Sequence, residues 1–247
     1  MEEIPALSAR SVVLSLLLGS HPDRMSAAEL VRAGEHFGIP PATTRVALTR
    51  AVAAGDLRRD TADSRRYVLG ERLAARQRRQ DEAVLDAETA WDGGWEMAVV
   101  VVAGRTGAER AALRERLASY RLAQLREGVW TRPANLRRPR EYADERVLTT
   151  FTAVPDEDPA DLACRLWDLT AWAEEGDRLL RLFEHTAAPA PRLAVAAHVV
   201  RHLATDPLLP AAVLPAGWPA ARMRAAYAAY QDELRELAVA PASASPG

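Results

Sequence analysis

Residues 38–69 read GIPPATTRVALTRAVAAGDLRRDTADSRRYVL, and this stretch decides the fold of the N-terminal part of the chain. Pro41 suits the first turn of a helix, where its missing N–H needs no partner. Gly55 supplies a left-handed helix stop. A short strand around Leu57, a polar turn and a second strand at 67–69 complete the segment. This order predicts a winged helix-turn-helix.

The predicted helix has one face that can pack and one that stays free. At a period of 3.6 residues, Thr44, Leu48, Ala51 and Val52 share the packing face. Arginine can bind guanine edges or phosphates, threonine can hydrogen-bond to either, and valine can contact a thymine methyl group. The candidate DNA-binding residues lie on the free face and at the hairpin tip: Thr43, Arg45, Val46, Thr49, Arg50, Arg65 and Arg66. The alternative that Thr43 and Thr44 only serve the first helical turn stays open.

Two further helices are predicted before this segment. The first spans 8–18, with Ser8 as its N-cap, and Gly19 ends it. The second begins with a capping box formed by Ser26 and Glu29. Three helices and a two-stranded wing then share one small core, and in this geometry the third helix enters the major groove of DNA.

The net charge of −2 over 247 residues hides an uneven distribution. Residues 41–80 contain ten Arg against four Asp or Glu, a surplus of six positive charges. Such a concentration suits a polyanion, because each Arg that neutralises a phosphate releases counterions. The alternative is a solvated charged surface, and the placement of the charges on a helix and a wing favours nucleic acid.

Composition and hydrophobic patterning divide the chain into five parts. We predict a winged helix domain at 1–70, a linking helix at 71–90, an α+β domain at 91–154, a helical domain at 155–240 and a disordered tail at 241–247. The predicted fold class is therefore α+β and mostly helical. No apolar run reaches membrane length and no signal-peptide pattern is present, so we expect a cytoplasmic protein.

The hydrophobic period changes after the linking helix. A β-branched run at 97–102 predicts a buried strand. Thr106 and Glu109 offer a capping box for a helix that extends to Tyr120. A hairpin at 122–125 and 128–131 and a strand at 146–153 follow. The succession strand, helix, strand, strand fits a small ferredoxin-like domain.

The C-terminal region is predicted to contain four helices separated by prolines, at 160–173, 177–185, 192–203 and 220–237. Glu174, Glu175 and Asp177 are expected at a solvated helix end. Cys164 is the single cysteine, so the chain cannot hold a disulfide framework. We expect Cys164 to be a small buried residue on a helix.

Four motifs follow one another along the chain: WDGGW at 91–95, GVWTRP at 128–133, CRLWDL at 164–169 and, most specific of the four, DPLLPAAVLPAGWPA at 206–220. Together with the N-terminal winged helix they resemble the PaaX family of bacterial transcriptional regulators over nearly the whole chain. The resemblance implies a homodimeric DNA-binding repressor of phenylacetate-degradation and related genes. It also implies an aryl-acyl-CoA thioester as the effector.

Two positions depart from the family pattern. Similar proteins often begin the third helix with a polar capping residue, where this chain has Pro40. Relatives also frequently carry an acidic residue at the end of the first strand of the middle domain, where this chain has Ala103. That domain resembles the small ferredoxin-like nucleases of CRISPR adaptation, which hold a metal with this carboxylate. A metal-dependent nuclease is therefore the disfavoured alternative.

No other pattern indicates an enzyme. His198 and His202 are four residues apart on a predicted helix, but Val199 occupies the position where a metalloprotease needs its general base. No Ser/His/Asp arrangement or Gly-rich phosphate loop stands out. We predict no catalytic residue, no metal site and no cofactor.

A candidate effector site combines an aromatic side chain with a cationic segment: Trp130, Arg132, Arg137, Arg138 and Arg140. We place this site in a cleft between the middle and C-terminal domains, because such groups suit the adenine and phosphates of an acyl-CoA. The favoured alternative is that Trp130 belongs to a core and the arginines solvate a loop or extend the DNA surface.

The expected partners are a double-stranded DNA operator, a small-molecule effector and a second copy of the chain. One reader helix samples only a few base pairs, and two-fold pairing places two such helices roughly 34 Å apart on an inverted repeat. The second functional class is a ligand-sensing or protein-interaction module without DNA binding.

Overall fold

The computed structural model describes residues 7–18, 24–74 and 90–239. They form two compact units built from interleaved segments. The first unit contains the described residues up to 74 together with Glu175–Thr205 and residues 219–239, and the second contains residues 90–174 and Asp206–Trp218. Residues 71–74 are helical, and the rest of the predicted linking helix and the predicted tail at 241–247 lie outside the described residues.

The first unit begins with a winged helix. Its helices are α1 (Ala9–Leu18), α2 (Ala27–His36) and α3 (Pro41–Ala53), and its strands are β1 (Arg24–Ser26), β2 (Leu57–Arg59) and β3 (Arg66–Leu69). The antiparallel sheet has the order β1-β3-β2. The predicted two-stranded wing was therefore incomplete, because the three residues before α2 pair with β3, with Met25 opposite Tyr67.

The start of α2 follows the sequence prediction. Ser26 accepts a hydrogen bond from the Glu29 N–H, and the Glu29 carboxylate accepts one from the Ser26 N–H, so the capping box is complete. α2 and α3 pack closely at Gly34, where an added Cβ would lie 2.6 Å from the Thr44 hydroxyl oxygen. A glycine is therefore required at this helix crossing.

Three C-terminal helices complete the first unit: the part of α6 (Leu169–His185) from Glu175 onward, α7 (Pro189–Leu203) and α8 (Ala220–Val239). α1 contacts α7 and α2 contacts α8, so the winged helix packs against the C-terminal helices. α6 is continuous where the sequence predicted a break at 174–176. Gly176 lies inside it and allows the close approach of Pro219, which an added Cβ would meet at 2.7 Å.

The second unit is built on a four-stranded antiparallel sheet. Its elements are β4 (Trp95–Val100), α4 (Gly107–Ser119), β5 (Ala123–Arg126), β6 (Val129–Pro133) and β7 (Leu148–Ala153). The strand order is β5-β6-β4-β7, so β4 and β5, joined by α4, lie on either side of β6. This is the split β-α-β arrangement of a ferredoxin-like domain, with the non-helical segment 134–147 in place of a second helix.

The first strand of this sheet begins and ends earlier than predicted. β4 runs over Trp95–Val100, whereas Val101 and Val102 lie beyond it and are exposed. The capping box of α4 is confirmed, with Thr106 and Glu109 each accepting a hydrogen bond from the other's backbone N–H. β-branched composition therefore located the strand, but pairing with β6 and β7 set its bounds.

The remaining helix of the second unit is α5 (Pro159–Leu166), which begins at the N-cap Asp158. The predicted helix 160–173 is interrupted, because Trp167 adopts an extended conformation and Asp168 accepts a hydrogen bond from the Ala171 N–H at the start of α6. Leu162 and Ala163 face a core around Trp95, together with Leu209 and Val213 from the DPLLPAAVLPAGWPA segment. Cys164 is exposed rather than buried, as it lies on the other face of α5.

Candidate nucleic-acid interface

The two faces of α3 differ in burial. Thr44, Ala47, Leu48 and Ala51 are buried against the rest of the winged helix. Val52, predicted on the packing face, is exposed, and Ala47 takes the inner position instead. The outward face carries five predicted DNA-binding residues, all exposed: Thr43, Arg45, Val46, Thr49 and Arg50.

The two arginines of this face have no side-chain partner among the described residues. In the described part of the chain, neither Arg45 nor Arg50 makes a hydrogen bond or ion pair through its side chain. The Thr49 hydroxyl donates to the Arg45 carbonyl oxygen at 3.1 Å, which leaves its oxygen free to accept. α3 therefore presents two unpaired cations and an exposed valine on one face.

The hairpin tip presents its arginines differently. The guanidinium of Arg65 is 87% exposed but forms two hydrogen bonds with Asp63, at 3.0 and 3.3 Å. Arg66 is half-buried, lies 3.7 Å from Asp63 and donates to the Arg24 carbonyl oxygen. Hydrogen bonds from Arg65 hold the pKa of Asp63 below its ordinary value, and Asp63 raises the pKa of Arg65 in turn. Asp63 therefore offsets part of the positive charge that Arg65 and Arg66 present at the hairpin tip.

The strand β2 contributes a cation that the sequence prediction missed. Arg58 is exposed and its side chain makes no hydrogen bond or ion pair with the described residues. Its neighbour Arg59 is also exposed but is held in place, since it stacks over the Tyr67 ring at 4.2 Å and donates to the Ser64 carbonyl oxygen. Strand alternation in the sequence would have assigned one of these two arginines to the surface, whereas both are exposed on this edge strand.

A buried carboxylate fixes the hairpin to the helices. Asp56, at the end of α3, forms ion pairs with Arg10 of α1 and with Arg72. Burial opposes the charge of Asp56, but the hydrogen bonds from these arginines outweigh it and hold its pKa below the ordinary value. Gly70 also lies here, and an added Cβ would overlap the Gly55 carbonyl oxygen. These contacts set the position of β2 and β3 relative to α3.

The residues predicted to bind an effector all belong to the second unit, but they divide among a hydrophobic core, an internal ion-pair network and the surface. Trp130 belongs to the core between the sheet and α4. Arg132 is fully buried, Arg138 and Arg140 are partly buried, and Arg137 is exposed. The three arginines other than Arg137 surround one carboxylate, that of Glu96.

This Glu96 cluster is an internal network. Glu96 lies 3.4 Å from Arg132, 2.9 Å from Arg138 and 3.3 Å from Arg140, and it accepts a hydrogen bond from the Tyr142 hydroxyl at 2.9 Å. Burial lowers the pKa of Arg132 to about 9, while the Glu96 charge opposes that fall, so the guanidinium stays charged at neutral pH. Sequence reasoning missed Glu96, although an acidic residue within an apolar strand was a signal.

Arg132 also holds the DPLLP segment. Its guanidinium donates to the Leu208 carbonyl oxygen at 2.8 Å, and Asn135 donates to the same oxygen at 3.0 Å. The Leu208 N–H donates to the buried carboxylate of Asp206. The DPLLP part of the most specific sequence motif is therefore held to β6 and to the segment that follows it, within the second unit.

The positions considered for metal chemistry are Ala103 and the pair His198 and His202. Ala103 is beyond the end of β4 and exposed. His198 and His202 are one turn apart on α7, and burial lowers the pKa of His198. Among the described residues, no group of three His, Cys, Asp or Glu side chains could hold a metal ion. In the same residues, no helix combines the length and the hydropathy needed to cross a membrane.

Three family models match successive parts of the chain. Residues 8–73 match a PaaX-like protein model, residues 88–156 match the PaaX protein central Cas2-like domain, and residues 167–243 match the PaaX-like protein C-terminal domain. Curated proteins gave no match. Among solved structures, the uncharacterized protein Rv0674 from Mycobacterium tuberculosis is 48% identical, with a TM-score of 0.80, over 94% of this chain and 97% of that chain.

Proposed function

The chain belongs to the PaaX family, and on this premise we propose that it is a sequence-specific DNA-binding transcriptional regulator. In this proposal α3 enters the major groove and the β2–β3 hairpin follows the backbone or the minor groove. The protein acts as a cytoplasmic repressor, and an acyl-CoA thioester, the effector class that the resemblance implies, releases it from the operator.

The observation that supports this proposal is the outward face of α3. Arg45 and Arg50 are exposed and unpaired among the described residues, and Val46 is 49% exposed between them. Exposure of the Val46 side chain to water is unfavourable, and a thymine methyl group is a suitable apolar contact for it. Guanine edges and phosphates are suitable acceptors for Arg45 and Arg50. Asp56 and its two arginines hold the hairpin beside this face.

We further propose that a homodimer binds an inverted repeat. A single α3 reads only a few base pairs, and a two-fold axis would place two copies roughly 34 Å apart, one turn of the duplex. Light scattering of the protein with and without operator tests this. A monomer in both conditions would remove the dimer from the proposal.

The central experiment measures operator affinity as a function of salt for genomic fragments that the wild-type protein retains. Arg45→Ala and Arg50→Ala should each weaken binding. If the lost contact is to a phosphate, the salt slope should fall by about 0.9 for each contact removed, and therefore by about 1.8 for a homodimer that loses the contact in both half-sites. A base contact instead costs about 1–3 kcal/mol and relaxes specificity at one position.

The matched control is Arg165→Ala, since Arg165 is exposed on α5 and already paired with Glu157. We expect this variant to bind operator as the wild type does. If the two α3 variants also keep wild-type affinity, α3 does not read the operator and the interface proposed for it fails. If no fragment is retained, the DNA-binding proposal fails and the chain is a sensing or protein-interaction module.

A further inference from the structure

The second unit contains a cavity of about 490 Å³ that the α3 interface does not use. It lies where the N-terminal half of α4, the loop after β4 and the β5–β6 hairpin meet. Its apolar wall includes Val100, Leu113 and Trp130. The volume is in the range typical of small-molecule sites. Of the residues predicted from sequence to bind an effector, only Trp130 lines it.

The polar wall of this cavity is cationic. Arg105, Arg110 and Arg114 line it, against the single carboxylate of Glu127. Among the described residues, neither Arg114 nor Glu127 has a side-chain hydrogen bond or an ion pair. Three cationic side chains and one anionic side chain line the cavity, so its lining carries a net positive charge beside an aromatic and aliphatic wall.

Arg105 supplies a specific sign of a missing partner. Its Nη2 donates to the Glu109 carbonyl oxygen at 3.1 Å, and its own carbonyl oxygen accepts from Arg110 at 2.8 Å. Its Nη1 is buried and has no acceptor among the described residues. An unsatisfied buried donor costs about 1–3 kcal/mol, more when it is charged. Carboxylates and phosphates are the best acceptors for a guanidinium. Because Arg105 lines the cavity, a rotation of its side chain that turns Nη1 toward a bound anion would supply the missing acceptor.

We propose that this cavity binds an organic anion, whose carboxylate or phosphate contacts Arg105 and Arg114 and whose apolar body packs against Leu113 and Trp130. The binding step stands independently of DNA recognition. Its role as the effector site of the repressor rests on the function proposed above.

Calorimetric titration of the full chain tests the inference with four probes. Octanoate and octyl phosphate combine an anion with an apolar body, octanol lacks the charge, and inorganic phosphate lacks the body. At least one of the two amphiphilic anions should bind, and the comparison between them identifies the preferred head group. Octanol and inorganic phosphate should bind at least about tenfold more weakly, since each lacks one half of the site.

Variants that should weaken binding and a variant that should strengthen it provide a second test. The double variant Arg105→Ala/Arg114→Ala should weaken binding of the anion by about a hundredfold or more, because it removes two charge-assisted hydrogen bonds, each worth about tenfold or more in affinity. Glu127→Gln should tighten it by roughly threefold, because the like charge is removed. Arg181→Ala, an exposed arginine of α6 outside the cavity, should leave affinity unchanged. Circular dichroism verifies that each variant is folded.

Four outcomes overturn the inference: no heat from any probe, octanol binding as tightly as octanoate, inorganic phosphate binding as tightly as octyl phosphate, or unchanged affinity in the double variant. If the double variant loses operator affinity while no anion binds the wild type, the arginines extend the DNA surface instead. If an anion binds but no operator is found, the DNA-binding proposal fails and the cavity assignment stands.

Discussion

At the scale of single residues, Glu96 is the group on which the second unit most depends. Three guanidinium groups lie within 3.4 Å of one buried carboxylate, so the cluster has an excess of positive charge. Burial and the Glu96 charge both raise the pKa of Tyr142, which therefore stays a neutral donor. The network ties β4 to β6 and to the segment 134–147, where a ferredoxin-like domain usually has a helix.

Replacement of Glu96 should destabilise the protein strongly. Glu96→Gln leaves the fully buried Arg132 without its counter-charge, and loss of one partner of a buried ion pair costs about 3–5 kcal/mol. Urea unfolding followed by tryptophan fluorescence measures the change. Asp144→Asn is the control, because the Asp144–Arg146 pair is exposed and should contribute less than about 1 kcal/mol. Equal effects of the two substitutions would contradict the assignment of Glu96 to a buried network.

At the scale of secondary structure, the crossing of α2 and α3 sets the orientation of α3, the helix proposed to read DNA. Gly34 and Thr44 are in contact there, and Thr44 is fully buried. Its hydroxyl lies 3.5 Å from the Pro40 carbonyl oxygen at the start of α3, which has no side-chain cap. Thr44 therefore packs against α2, while its neighbours Thr43 and Arg45 face solvent.

Gly34→Ala should destabilise the winged helix by about 1–3 kcal/mol despite the higher helix propensity of alanine, because the new Cβ meets the Thr44 side chain. Adding Thr44→Ala should restore part of this loss, giving a favourable coupling in a double-mutant cycle. Gly107→Ala is the matched control at the start of α4, where an added Cβ meets no atom within 4 Å. Denaturant titration measures all four variants, and additive effects at Gly34 and Thr44 would refute the close contact.

At the scale of the whole molecule, the first unit joins the two ends of the chain. The winged helix at the N-terminal end contacts α7 and α8, which come from the C-terminal end. Tyr230 of α8 is buried, packs edge-to-face on Phe183 at 5.4 Å and lies under Arg192. The stability of the winged helix therefore depends on residues almost two hundred positions away in sequence.

Tyr230→Ala should loosen α1 and α2 as well as α8. Removal of a buried aromatic ring costs about 3–5 kcal/mol, and this loss falls on the whole unit if it unfolds cooperatively. Hydrogen exchange measured by mass spectrometry should be faster than in the wild type in α1 and α2, with a smaller increase in β4 and β6. Leu162→Ala, in the core around Trp95, should give the reverse pattern. If hydrogen exchange in α1 and α2 is unchanged in Tyr230→Ala, the stability of the winged helix does not depend on its packing against the C-terminal helices.

The sequence alone determined the elements whose signals are local. The capping boxes at Ser26 and Thr106, the stop at Gly55 and the outward Arg45 and Arg50 follow from spacing and from the conformational preferences of single residues. Such signals depend on neighbours three or four positions apart, so they can be recognised without knowledge of the rest of the chain.

Tertiary structure alone decided which distant groups meet. Only folding made β1 a strand, because its three residues pair with residues of β3 that lie 40 to 44 positions later in the sequence. It also kept α6 continuous through Gly176, placed Glu96 among three arginines and left Arg65 paired with Asp63 while Arg45 remained unpaired among the described residues. Packing and charge pairing between segments distant in sequence produce no periodic pattern in the sequence. For that reason the exposure of the outward residues of α3 was predictable, whereas the ion pairs made by the arginines were not.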